Sequence, residues 1–233
     1  MPTIIYDPSS GGPKNWQNAA QICVSEIFTN VHSVTERLEQ EKKHRIVSSA
    51  GPDELGENNE ELISVLDGIE LLDIQFEGML NSQSFSNSDG MYWVEEWKIL
   101  GRIAAGAGIK NGNLNFYPEL LSPPRHPEMY ISSASVPFSG ETLFLENDIS
   151  AILARKQRDY GHHNISRFGR HGLLVRCHDK IARLKNLHLS RAGEAANESL
   201  ADTYIDVIGY SAIGMMVERG WFLLHLEDEQ KLI

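Results

Sequence analysis

The chain has few of the features that mark secreted, membrane-spanning or broadly nucleic-acid-binding proteins. Its 233 residues include two cysteines, Cys23 and Cys177. They lie far apart in sequence, so no disulfide framework is implied, and free thiols in a cytoplasmic protein are expected. No apolar run approaches the roughly 20 residues of a membrane span. The start, Met1-Pro-Thr-Ile-Ile-Tyr-Asp-Pro-Ser-Ser-Gly-Gly, lacks the basic residues and apolar stretch of a secretion signal. Positive charge is also scarce, with 21 Lys and Arg against 32 Asp and Glu and a net charge of -11. That balance argues against nucleic-acid binding by the whole surface, while leaving room for a local basic site. There is no Gly-rich Walker loop, which argues against a P-loop ATPase. No internal repeat is visible.

What is present is enough apolar residue, 41%, to bury a core as one large domain or two small ones. Helical spacing dominates. Ala20, Val24, Ile27, Val31, Val34 and Leu38 mark a helix from Asn15 to Arg45, close to a heptad seam. Leu62, Leu66, Ile69 and Phe76 mark a second over about 58–80, and a third covers roughly 91–105. From Gly106 to Gly140 the period vanishes among Gly, Asn and Pro, which predicts loops with room for one short hairpin. The pattern resumes with Asn147 or Asp148 as a cap and runs to Tyr160-Gly161. A His-rich basic loop then spans His162 to Gly172. A helix from Gly172 to about Leu187 carries Leu174, Cys177, Ile181 and Leu184 on its apolar face. A last helix is expected from Glu194 to about Arg219, followed by a short apolar tail. The expected fold class is therefore all-α. Its division is an N-terminal helical region with an irregular linker over 1–140 and a second domain over 141–233.

Charge is unevenly spread along this second part. From Arg155 to Arg191 there are ten Lys or Arg and two acids, Asp159 and Asp179. The helix that follows carries Glu198, Asp202 and Asp206, four residues apart and thus near one face. Clustered carboxylates suit Mg2+ or Mn2+, and cations suit phosphate oxygens, so a polyphosphate substrate is the natural common partner. An acidic stripe is as often a solvated face paired to nearby Arg or Lys. A basic stretch can likewise be surface with nothing bound. Five of the nine histidines also fall here. His178-Asp179 is the His-Asp dipeptide that a metal phosphohydrolase would combine with His162 or His171 and with Asp206. Tyr160, Phe168 and Tyr210 are candidates to stack on a base, or ordinary core residues. Glu57-x-x-Glu60 opens a helix, where acids favour the dipole.

Two stretches carry a family resemblance over about 146–225. One is Lys156-Gln-Arg-Asp159-Tyr160-Gly161, followed by Gly172-Leu-Leu-Val-Arg176-Cys-His-Asp179-Lys180-Ile-Ala-Arg183. The other is Glu198-Ser199-Leu200-Ala-Asp202-Thr203-Tyr-Ile-Asp206-Val-Ile-Gly209-Tyr210. Together they resemble the phage-type nucleotide-modification-associated domain, grouped with MazG-like all-α pyrophosphohydrolases. The resemblance implies Mg2+-dependent hydrolysis of a nucleoside triphosphate to monophosphate and pyrophosphate by a homodimer or homotetramer, in the host cytoplasm if phage-encoded. It implies Glu198, Asp202, Asp206 and Asp179 as metal ligands, with Glu198, Asp202 and Asp179 catalytic. It implies Lys156, Arg176, Lys180 and Arg183 as phosphate contacts. The chain departs from the pattern where relatives carry Glu-x-x-Glu, since it has Arg176-x-x-Asp179, and its second motif is Glu198-x-x-x-Asp202 rather than Glu-x-x-Asp. A non-catalytic nucleotide-binding or assembly protein on the same fold is the alternative from another class.

Overall fold

A computed structural model describes residues 11–31, 57–82, 90–114, 138–189 and 199–227, with side chains described from 68, from 145 and up to 188 in the second and fourth of these stretches. Among the described residues there are seven helices and no strand, so the fold is all-α. The helices are α1 (Trp16–Phe28), α2 (Glu57–Ser82), α3 (Gly90–Lys110), α4 (Phe138–Tyr160), α5 (His163–Ser166), α6 (Gly169–Leu189) and α7 (Leu200–Glu218).

The apolar spacing accounts for the core. Ala20, Val24 and Ile27 on α1, Ile69 and Phe76 on α2, and Leu174, Cys177, Ile181 and Leu184 on α6 are all buried. They share one cluster with Trp93, Trp97 and Leu100 of α3 and with Tyr204, Val207 and Met215 of α7. Helices on both sides of the expected 140/141 boundary therefore contribute to the same core. α7 packs most extensively on α3, and also on α1 and α6, while α4 lies against α1 and touches α7 lightly. An Arg219–Glu26 ion pair with contacts of 2.9 and 2.7 Å fastens the end of α7 to α1.

Several helix boundaries differ from those the sequence predicts, each for a local reason. α1 starts where Asn15 caps it by accepting from the Asn18 amide, but it ends at Phe28, because Asn30 takes a left-handed φ of 61°. Val34, Leu38, Leu62 and Leu66 lie outside the described side chains. α3 continues through Gly106 and Gly108 to Lys110, where glycine supplies proximity rather than a turn. A Cβ on Gly108 would meet Leu114 at 2.6 Å and Tyr204 at 3.1 Å, and one on Gly214 of α7 would meet the Trp97 ring at 2.4 Å. These glycines let α3 and α7 approach closely enough to bury the tryptophans.

α4 begins at Phe138, well before Asn147, since Leu145, Ile149 and Leu153 continue one buried stripe and Glu146 accepts from the Ser25 hydroxyl at 2.6 Å. The expected basic loop contains α5 and the first turn of α6. α7 begins at Leu200 rather than Glu194, because Ser199 and Asp202 form a capping box there. The predicted hairpin region beyond 114 and Glu198 fall outside the described residues.

Candidate functional site

The charged segment folds into an antiparallel pair, α6 against α7, in which several basic residues of α6 meet side chains of α7. Moving along α6, Arg170 forms two 2.6 Å contacts with Glu218, near the end of α7. Arg176 sits over the Tyr210 ring, 6.0 Å from its centroid, and donates to Asn164 Oδ1 at 2.7 Å. Lys180 meets Asp206 at 2.7 Å. Arg183 donates to Thr203 Oγ1 beside the start of α7. One helix climbs as the other descends, so residues a turn apart on α6 meet α7 a turn apart in reverse.

α4 completes a site beside this pair. Lys156 reaches Asp206 at 2.6 Å, so the two carboxylate oxygens each accept from a different lysine. Lys156, Arg176 and Lys180 line a cavity of about 470 Å3 with Asp206, and three cations against one carboxylate give that lining a formal charge of +2. The volume falls in the range of small-molecule sites, about 300–1,000 Å3. Gly209 helps form the cavity's wall, since any Cβ there would press on Leu153 Cδ2 at 2.8 Å. Asn164, Tyr160, Tyr210 and Gln157 supply further lining. Burial opposes ionisation of Asp206, but hydrogen bonds and charge from Lys156 and Lys180 outweigh it, and the carboxyl sits below its ordinary value of 3.8.

The structure thus brings together Lys156, Arg176, Lys180 and Asp206, four of the residues singled out by sequence. It places the others elsewhere. Arg183 serves the α6–α7 contact and does not line the cavity. Asp202, expected to stack with Asp206, is exposed, and its carboxylate accepts from the Ser199 hydroxyl at 2.7 Å and the Ser199 amide at 3.3 Å. Asp179 is 72% exposed, with His178 Nδ1 3.8 Å away. Glu198 lies outside the described residues.

Among the described residues no group of three or more His, Cys, Asp or Glu forms a candidate metal set. Asp206 is engaged by two lysines and Asp202 by its cap. The His-Asp combination is also not gathered, although all of its members are described. His162 contacts the Leu224 carbonyl at 3.2 Å, and His178 lies beside the Phe76 ring.

Of the aromatic candidates, Tyr160 and Phe168 are exposed rather than core, while Tyr210 is half-buried. Tyr160 and Tyr210 line the cavity and Phe168 does not. Sequence reasoning missed Gln157 and Asn164. The signal for Gln157 was its place between Leu153 and Tyr160 on one helical face. Comparisons with protein-family profiles, curated proteins and solved structures give no match to this chain.

Proposed function

We propose that this protein binds a nucleoside triphosphate in the cavity between α4, α6 and α7, with Lys156, Lys180 and Arg176 on phosphate oxygens. The observation that supports this most directly is the convergence of three cations from two helices on one cavity around a single buried carboxylate. Asp206 has a positioning role in this reading. It holds two flexible ammonium groups at the wall before ligand arrives, which lowers the ordering cost of binding. Arg176, steadied by Asn164 and Tyr210, offers a planar fork suited to bidentate phosphate contact. Membership in the MazG-like group, assembly as a homodimer or homotetramer and a cytoplasmic location belong to the same proposal. No helix among the described residues is long and apolar enough to cross a membrane.

Hydrolysis to monophosphate and pyrophosphate with Mg2+ is the second reading. What favours it is Asp206, an ionised acid on the cavity wall and on the helix that also carries Asp202. Among the described residues no group of three or more His, Cys, Asp or Glu is gathered to hold the metal. Isothermal titration with inorganic triphosphate and a dNTP panel tests the binding proposal. Micromolar binding that falls at least tenfold in Lys180→Met and in Arg176→Met is expected. No binding, or binding indifferent to both substitutions, refutes it. Product analysis with Mg2+ then separates the classes. Monophosphate with pyrophosphate marks the hydrolase, binding without turnover marks the non-catalytic protein, and nucleoside with triphosphate marks the His-Asp chemistry.

A further inference from the structure

The cations account for one part of the cavity and leave Gln157 without a partner. This side chain is 7% exposed and lines the cavity. Its Nε2 has no hydrogen-bond partner among the described residues. Buried amide donors are usually paired in folded proteins, so an unpaired one on a residue that lines a cavity points to a group that arrives from outside. Its surroundings describe that group. Leu153, Gln157 and Tyr160 stand at helical spacing along the cavity face of α4, and Ile165 and the Tyr210 ring add carbon surface. A donor set among apolar and aromatic groups suits a flat heterocycle with a polar edge better than a hydroxyl-rich sugar. Lys156, next to Gln157 in sequence, turns to Asp206 and the other cations. Phosphate and base could thus be met by adjacent residues of one helix.

We infer that Gln157 reads the base of the bound nucleotide, donating from Nε2 to a ring carbonyl oxygen. The inference rests on the nucleotide-binding proposal above. A carbonyl oxygen projects one bond beyond the ring and can reach a recessed donor, whereas a ring nitrogen lies flush between its neighbours. Adenine, which has no ring carbonyl, is therefore disfavoured.

The test is calorimetric titration with EDTA present, using inorganic triphosphate, dATP, dITP and dTTP on the wild type and on Gln157→Met, which keeps side-chain length and removes the donor. In the wild type, dITP and dTTP should bind about tenfold more tightly than dATP, the worth of one hydrogen bond. The variant should bind inorganic triphosphate as the wild type does and lose the preference. Equal binding of the three nucleotides by the wild type, or a preference that survives in Gln157→Met, overturns the inference and leaves phosphate binding standing. Failure to bind triphosphate and every nucleotide overturns the nucleotide proposal, and the base-reading role with it. If circular dichroism shows Gln157→Met unfolded, the wild-type comparison of dITP with dATP decides, since these differ only in the C6 substituent of the purine and the proton on the adjoining N1.

Discussion

Replacing Asp206 by Asn separates the structural from the chemical role of the cation cluster. The substitution keeps the side chain's shape and removes its charge, leaving Lys156 and Lys180 facing an amide. A hydrogen bond to a charged partner contributes about 1.5–3 kcal/mol when well sheltered. Lys180, 21% exposed, is close to that case. Lys156 is 49% exposed, so solvent screening reduces its share to about 0.5–1 kcal/mol. The expected loss is roughly 2–4 kcal/mol, or roughly 5–15 °C in Tm for a chain of this size. The pH dependence follows from the lowered carboxyl. Its folded value lies below 3.8, so its contribution is complete well above 3.8 and is lost as pH falls through that lower folded value. The gap between wild type and variant should be flat at neutral pH and close in strong acid.

Ligand response supplies the second half of the assay. The variant's cavity lining has a formal charge of +3 in place of +2. Losing the pre-ordering that Asp206 provides opposes this gain, but the added unit of charge acts on a multiply charged anion and outweighs it, so inorganic triphosphate should raise the Tm of Asp206→Asn by more than it raises that of the wild type. If Asp206 instead holds a metal that the ligand needs, the variant should lose its response to triphosphate with Mg2+. Melting of Asp206→Asn within about 1 °C of wild type at pH 7 would refute the reasoning, because a buried acid holding two lysines cannot be lost without cost.

Ser199→Ala removes one side of the capping box on α7 and should cost about 1 kcal/mol by urea denaturation; no loss would mean that the α7 start is held by other contacts. Gly214→Ala drives a methyl into the Trp97 ring and should destabilise by about 1–3 kcal/mol, with a shift in tryptophan fluorescence. Both thiols should stay unreactive toward a disulfide reagent at pH 8 until the protein unfolds. Burial pushes Cys23 up to about 12 despite the nearby Arg219 charge, and it pushes Cys177 up further, aided by the charge of Asp206. Rapid modification of either in the native state would contradict this.

Helix content and the main apolar stripes were legible because they depend on local spacing alone. The α6 stripe from Leu174 to Leu184 is buried as the 3.6-residue period requires. Boundaries were legible where a cap or stop stood in plain view, as at Asn15 and at Tyr160-Gly161. Glycine misled at Gly108, since a flexible residue in a sequence marks a turn or a close contact, and only the Leu114 and Tyr204 side chains show which applies.

By itself the sequence determined an all-α protein that concentrates ten of its 21 basic residues in one short stretch before an acidic helix. Which of those charges meet was decided by tertiary structure. Four residues overshoot a helical turn by about 40°, so spacing places Asp202 and Asp206 near one another but cannot say which of them turns inward. The capping box holds Asp202 at the exposed start of α7, and one turn later the helix lies between α4 and α6, where Lys156 and Lys180 close on Asp206. Arg183 and Lys180 differ in the same way, one fastening the helix pair and the other facing the cavity, because the antiparallel register sets what each finds opposite.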